Sequence, residues 1–397
     1  MRSFFPIIFA AILILVLGLI ELVLLRLLNR EWWDNKKIRC LAWLLPLAGV
    51  AALVLWALGE YYTRSWLSIP AASAAVLVFV LEMALMLSLP VSGVIHLMGR
   101  LIHALLRHKN VGLERIDRQR RLFLKGAAAA VPLVTMASGV SGVARAFTDV
   151  RVYRKQLVID QLPSEWDGMK ILHLSDMHLR HYVTLDDLED TLSRAKEVTP
   201  DLILVTGDVA DDLNQLPAAL AMIAAVNAPL GCYACLGNHE YFRGINRVRK
   251  IFEASPVPLL VNRSLTVEFR GKRLRIGGID DPLSLRGEHG SFFERAVEES
   301  LQGTKPEGFS LLMSHRPDAF VQASQRGCDL VLAGHTHGGQ VGLFGRSAFE
   351  RYFPDSYLWG HYRRGKAHLY TSSGVGHWFP FRLGCPAEAP VLELHRG

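Results

Sequence analysis

Five separate stretches of this chain end an apolar run on a carboxylate, an amide or an imidazole. KILHLSDMH stops at Asp176 and His178, DLILVTGDVAD at Asp208 with Asp211 three residues on, and GCYACLGNHE at Asn238 and His239. GFSLLMSHRP reaches His315, and CDLVLAGHTHGGQ reaches His335 and His337. Any one of these has an ordinary explanation, because Gly-Asp is a common turn and a lone histidine is usually a packed or surface group. All five in succession ask for a shared cause. Imidazoles and carboxylates together suit transition metals such as Mn, Fe and Zn.

For these side chains to meet, the five runs must be neighbouring strands whose carboxyl ends open on one crevice, the usual ligand position in α/β sheets. The runs are short and apolar, as buried strands are. A helix with Leu185, Leu188, Leu192, Ala195 and Val198 on one face separates the first two. His335 and His337, two residues apart, both reach inward only if the chain turns, and Gly334, Gly338 and Gly339 make that turn cheap. Cys232 and Cys235 fall on one of the runs, where an i, i+3 pair has Cα atoms about 10 Å apart, too far for a disulfide. They read as core thiols. An α/β domain over 150–397 is the expectation.

In order, D-x-H, G-D-x-x-D, G-N-H-E, S-H and G-H-x-H resemble the calcineurin-like metallophosphoesterase superfamily, and AGHTHGGQ with FRLGCPAEAPVLEL is similar to a bacterial membrane-associated branch of it. The resemblance implies a four-layer αββα sandwich and two divalent metal ions (Mn, Zn or Fe). It would place Asp176, His178 and His337 on one ion, Asn238, His315 and His335 on the other, and Asp208 between them. His239 would be a catalytic acid outside the ligand set, oriented by Asp211, with Glu240 as the second candidate for that task. Beyond the ligands, the segment 341–370 is rich in arginine and aromatics. Arg346 and Arg363 are candidate substrate contacts there, and Phe344, Phe349, Trp359, Trp378 and Phe379 are candidates to line an apolar groove or meet a bilayer. Asp280 and Asp281 read as a turn.

The first 99 residues are of another kind. Apolar stretches at 4–28, 41–59 and 69–89 are long enough to cross a hydrocarbon core. Arg30, Lys36, Lys37 and Arg39 mark the first loop as cytoplasmic, against Arg64 alone in the second. Residues 100–125 carry +6 of the chain's formal +7, so the domain that follows is nearly neutral and a nucleic-acid surface on it is not expected. From 91 to 106 an apolar face alternates with Ser92, His96, Arg100 and His103, which fits either a helix lying on the leaflet or a third span continued past Pro90. Glu82, placed mid-span, reads as either functional or hydrogen bonded between helices.

RQRRLFLKG at 118–126, followed by an apolar stretch at 126–147, resembles a twin-arginine export signal set inside the chain. The resulting expectation is a multi-pass protein of a bacterial inner membrane whose domain is carried outward by the twin-arginine machinery. Its expected function is hydrolysis of a phosphoester, lipid-linked among the candidates, by a phosphodiesterase. The alternatives are a pyrophosphohydrolase of a nucleotide-linked glycolipid and a membrane sensor that uses the fold for binding only.

Overall fold

The structure, a computed structural model, describes residues 5–62, 64–107, 114–160, 162–180, 182–281, 289–303, 308–377 and 379–397. Trp378 and Lys109 therefore lie outside the described residues. The chain divides into two units, 1–144 and 145–397.

The first unit is helical: α1 (Phe5–Leu28), α2 (Arg30–Trp33), α3 (Lys36–Tyr61), α4 (Ser65–Arg107) and most of α5 (Glu114–Ala146). Among the described residues four segments are long and apolar enough to span a bilayer, Ile7–Leu28, Lys36–Tyr61, Trp66–Leu105 and Arg118–Ala146. Helices with lipid outside have little hydrophobic drive to associate and rely on close packing. Gly18 accordingly sits against Pro46, where a Cβ would come within 2.7 Å of the proline ring, and Gly93 against Leu28 at 2.5 Å. Asn35 starts α3 by accepting the N–H groups of Lys37 and Ile38.

Of the two readings of 91–106, the structure contains the continuous one: α4 runs through Pro90 without a break. Two members of the polar edge drawn from the sequence meet other helices. Ser92 donates to the Ala128 carbonyl at 2.8 Å, His96 Nδ1 meets Asn29 Oδ1 at 3.1 Å, and Asn29 donates to the Leu89 carbonyl at 3.0 Å. Glu82 and Glu21 are both fully buried, and their carboxylate oxygens have no hydrogen-bond partner among the described residues. The twin arginines lie on α5, which begins four residues before Arg118.

The second unit alternates strands and helices: β1 (Arg151–Ile159), β2 (Lys170–Leu174), α6 (Leu185–Glu197), β3 (Leu202–Thr206), α7 (Leu216–Ala224), β4 (Cys232–Cys235), α8 (Asn238–Glu253), β5 (Arg263–Phe269), β6 (Lys272–Gly278), α9 (His289–Ser300), β7 (Gly308–Met313), α10 (Phe320–Gln325), β8 (Leu330–Ala333), β9 (Gly342–Leu343), β10 (Arg346–Ser347), β11 (Gly360–Arg364), β12 (Ala367–Thr371) and β13 (Glu388–Arg396). One sheet has the order β1-β13-β2-β3-β4 and the other β11-β12-β8-β7-β6-β5.

Between the sheets lies a layer built by Ile171, Leu202, Leu204, Leu274, Ile276, Leu311, Leu330 and Leu392. Leu188, Leu192, Leu216, Leu220 and Val248 seal α6, α7 and α8 onto the outer face of the first sheet. Phe293, Val297, Phe320 and Ala323 do the same for α9 and α10 on the second. Helices outside and two sheets inside make the αββα sandwich that the sequence motifs imply. Within it β2, β3 and β4 run parallel, as do β7 and β8, so each group delivers its carboxyl ends to one side. Cys232 and Cys235 are buried free thiols on β4.

Candidate metal centre

Each of the five strands hands its chemistry to the turn that follows it. β2 leads to Asp176 and His178, β3 to Asp208, β4 to Asn238 and His239 in the first turn of α8, β7 to His315, and β8 to His335 and His337. Five of these residues hold a left-handed backbone: Asp176 (φ 52°), His178 (φ 48°), Asp208 (φ 52°), His335 (φ 68°) and His337 (φ 49°). For residues other than glycine that conformation costs of order 1–3 kcal/mol each and gathers at functional sites. It bends the chain off the strand end, so that residues two apart face the same centre. The turns also touch: a Cβ on Gly334 would fall 2.1 Å from Asp176 Oδ2, and one on Gly237 2.2 Å from Asp208 Oδ1. Only glycine permits that approach.

Two groups of donors result. In the first, His337 Nε2 is 3.4 Å from Asp176 Oδ1 and 3.2 Å from His178 Nε2. In the second, His315 Nε2 is 3.3 Å from Asp208 Oδ2, 3.1 Å from Asn238 Oδ1 and 3.1 Å from His335 Nδ1. Asp208 belongs to both. Its Oδ1 accepts the His239 backbone N–H at 2.9 Å, while Oδ2 faces His315 and, at 3.7 Å, His178 Nε2. Ligand atoms of Asp176, His178 and His337, of Asp176, Asp208 and His315, and of His178, Asp208 and His239 each gather within 4.8 Å.

The surroundings fix these rings and carboxylates in place. His315 Nδ1 donates to the Thr206 carbonyl at 2.8 Å, which leaves Nε2 for the centre. Both oxygens of Asp176 accept the His335 N–H, at 3.1 and 2.9 Å, and Ser175 Oγ donates to Oδ2. Burial pushes His335 and His337 down to about 3, so both rings are neutral and have a lone pair to give. His315 goes the other way: burial disfavours its charge, but Asp208 and Asp176 outweigh that and raise it to about 10. Buried carboxylates thus draw positive charge to this spot. A divalent cation supplies such charge, and a mixed nitrogen and oxygen donor set with convergent imidazoles fits one.

Beside the centre, His239 Nδ1 lies 2.6 Å from Asp211 Oδ1. Burial would raise the Asp211 carboxyl, but His178, His239 and the Arg243 guanidinium, 3.1 Å away, hold it well below the usual carboxylate range. Glu240, the second candidate for orienting His239, does something else. It accepts the backbone N–H groups of Asp208 and Val209 at 2.9 Å and of Gly237 at 2.7 Å, tying the β3 turn to the start of α8.

Two further arginines were not foreseen. Arg316 places Nη1 2.6 Å from His335 Nε2 and binds both oxygens of the buried Asp281 through Nε. Asp281 is thus an ion-pair partner as well as part of a turn, and Asp280 accepts the Tyr241 hydroxyl. Arg382, fully buried, reaches the Gly376 carbonyl at 2.6 Å and His337 Nδ1 at 3.4 Å. Arginines on loops carry no periodic signal, which is why only the fold reveals them.

The candidate substrate arginines are not brought to the cluster. Arg346 is exposed and paired with Glu350 at 2.7 Å. Arg363 pairs with Asp160, and its cross-strand partner His368 lies opposite Leu330, the first residue of β8, whereas His335 follows that strand's other end. Of the candidate groove residues, Phe344 and Phe349 are exposed, but Trp359 is buried with Nε1 donating to Glu388.

A family model for calcineurin-like phosphoesterases matches residues 169–339, which contain the whole cluster. The chain is 30% identical over 285 residues to the metallophosphoesterase YkuE of Bacillus subtilis (strain 168), covering 69% of this chain and 97% of that one. It is 29% identical to a transmembrane protein with metallophosphoesterase domain from Danio rerio, over 66% of this chain and 61% of the relative's length. To the phosphodiesterase YaeI of Escherichia coli (strain K12) it is 29% identical, over 57% of this chain and 82% of the relative. The chain belongs to the calcineurin-like phosphoesterase family. It is a metal-dependent phosphoesterase, and its long apolar helices make it a membrane protein.

Proposed function

We propose that this chain is a membrane-anchored phosphodiesterase with a dinuclear metal site, working on a phosphoester outside the cytoplasmic membrane. The observation that carries the dinuclear reading is Asp208 Oδ2, placed 3.3 Å from His315 Nε2 and 3.7 Å from His178 Nε2, with its sister oxygen already taken by a backbone N–H. Asp176, His178 and His337 would hold one ion, Asn238, His315 and His335 the other, and Asp208 would serve both. Bound there, a divalent pair supplies Lewis-acid activation of water and neutralises phosphoryl charge. His239, fixed through Nδ1 by Asp211, gives its proton to the leaving oxygen. The similarity to the phosphodiesterase YaeI of Escherichia coli supports a diester as substrate. The basic residues around Arg120 and Arg121, cytoplasmic by the positive-inside rule, support an outward-facing domain.

The test uses the purified full chain and its Asp208→Ala variant, each loaded with Mn, Zn or Fe and given an aryl phosphodiester, the monoester and a nucleotide-linked pyrophosphate. Two metal ions per chain and turnover of the diester are expected, with both lost in Asp208→Ala. One ion per wild-type chain would end the dinuclear reading. Turnover of the pyrophosphate alone would move the substrate class to the pyrophosphohydrolase alternative.

A further inference from the structure

The basic segment that opens α5 has a place in the fold that an export signal does not require. Arg121 and Lys125 line a cavity of about 270 Å³ within the helical unit, together with Arg30 from α2 and Arg100 from α4. His96 and His103 line the same cavity, and the acid among its described lining residues is Glu31, whose carboxylate is 3.0 Å from Lys125 Nζ. Among the described residues, four basic side chains against one carboxylate give a cleft of positive charge between helices whose other faces are apolar. We propose that this cleft binds the phosphate-bearing headgroup of an anionic membrane lipid. The inference is independent of the metal centre.

The chemistry follows from the side chains. A phosphate oxygen pair matches the planar fork of an arginine, and three arginines from three different helices can surround one phosphate. Basic clefts between helices at a membrane's edge are where such headgroups bind. His96 is held for this position by Asn29, itself buried, and by the edge of the Trp32 ring at 5.1 Å. A free phosphate would be satisfied by the charges alone, but the cleft comes with more than charge. Next to Arg100 and Arg121 along the same helices stand Leu101, 55% exposed, Leu122, 63%, and Phe123, 73%. The cavity itself has an apolar wall of Leu28, Ile95 and Leu124 beside the cations, which an acyl chain can use and a soluble anion cannot. In this arrangement the Arg121 side chain ties α5 to α2 and α4 through a shared lipid.

Native mass spectrometry of the purified full chain, titrated with short-chain phosphatidylglycerol, tests the proposal. One retained lipid per chain is expected, with affinity weakened about tenfold or more, 1.4 kcal/mol or above, in Arg30→Gln with Arg100→Gln. Neither substitution touches the twin arginines. Arg64→Gln with Arg145→Gln removes the same charge elsewhere and should bind as the wild type does. Arg30→Lys with Arg100→Lys keeps the charge and should recover most of the affinity. Equal binding by wild type and the glutamine pair overturns the site, as does equal weakening in the Arg64 and Arg145 control. A lysine pair as weak as the glutamine pair would mark a packing defect rather than a charge site, and also overturns it. Displacement of the lipid by millimolar inorganic phosphate, or equal retention of phosphatidylcholine, would make the cleft something other than an anionic-lipid site.

Discussion

One carboxylate serves two histidines in this protein: Asp211 Oδ1 is 2.6 Å from Nδ1 of His239, and Asp211 Oδ2 is 3.7 Å from Nδ1 of His178. The two histidines should respond differently to its loss. His239→Ala is expected to lower kcat by about 10²–10⁴-fold while metal content stays at the wild-type level, since only proton transfer is removed. Asp211→Asn should lower kcat and also loosen metal by roughly 10–100-fold, because the negative charge 3.7 Å from His178 is lost. Metal analysis beside steady-state kinetics separates them. A metal-free His239→Ala protein would make His239 a ligand.

His315 gives the site a pH dependence of known sign. Its folded-state value of about 10 lies above its ordinary 6.5. In metal-free protein its contribution to stability is therefore complete below about pH 6.5 and disappears as pH rises towards 10. Metal must displace that proton, and any that Asp211, Asp208 and Asp176 hold on His178, so binding at neutral pH should release protons and tighten as pH rises. Calorimetric titration in two buffers of different ionisation enthalpy reads the release directly. No dependence on the buffer would mean that His315 is already neutral before metal arrives.

Glu240 is predicted to matter for stability before it matters for catalysis. Glutamine keeps its shape but has one acceptor oxygen for the three backbone N–H groups of Asp208, Val209 and Gly237. Glu240→Gln should cost about 1–3 kcal/mol, seen as an unfolding temperature of the domain lowered by several degrees. An unchanged unfolding temperature would show that those N–H groups find other partners.

The export reading makes its own prediction at Arg120 and Arg121. Lysine keeps the charge but not the planar fork of donors, so Arg120→Lys with Arg121→Lys should leave the first three spans inserted. Residues 150–397 should then stay in the cytoplasm, out of reach of protease added to spheroplasts, whereas the wild-type domain is digested. Equal digestion of both would show that α5 inserts without the twin-arginine route.

Much of this site was legible because each strand is a short apolar run that stops abruptly on a polar residue. Asp176 just beyond β2 and His335 just beyond β8 are visible to anyone reading hydrophobicity along the chain. What could not be read is everything that depends on distant pairing. Nothing local says that Arg316 will reach His335 and Asp281, that Arg382 will lie behind His337, or that Glu240 will turn away from His239 to collect three N–H groups. Arg363 misled for the same reason. Its type suited phosphate, but β11 places it opposite the start of β8 rather than its end. In the helical unit the sequence from 91 to 106 left two readings open, because periodicity gives the polar stripe but not its partners: Ser92 meets the Ala128 carbonyl and His96 meets Asn29.

The place of β13 sets a timetable. It lies between β1 and β2, parallel to the one from Arg151↔Glu388 to Ile159↔Arg396 and antiparallel to the other. Until residue 396 has left the ribosome, β1 has no neighbour and β2 has an open edge, however long the earlier strands have waited. The apolar helices need no such delay, since each satisfies its own backbone. A nascent chain can therefore form its apolar helices and its second sheet before β13 exists, and the first sheet, which carries Asp176, Asp208 and Asn238 at its strand ends, closes only with the last residues.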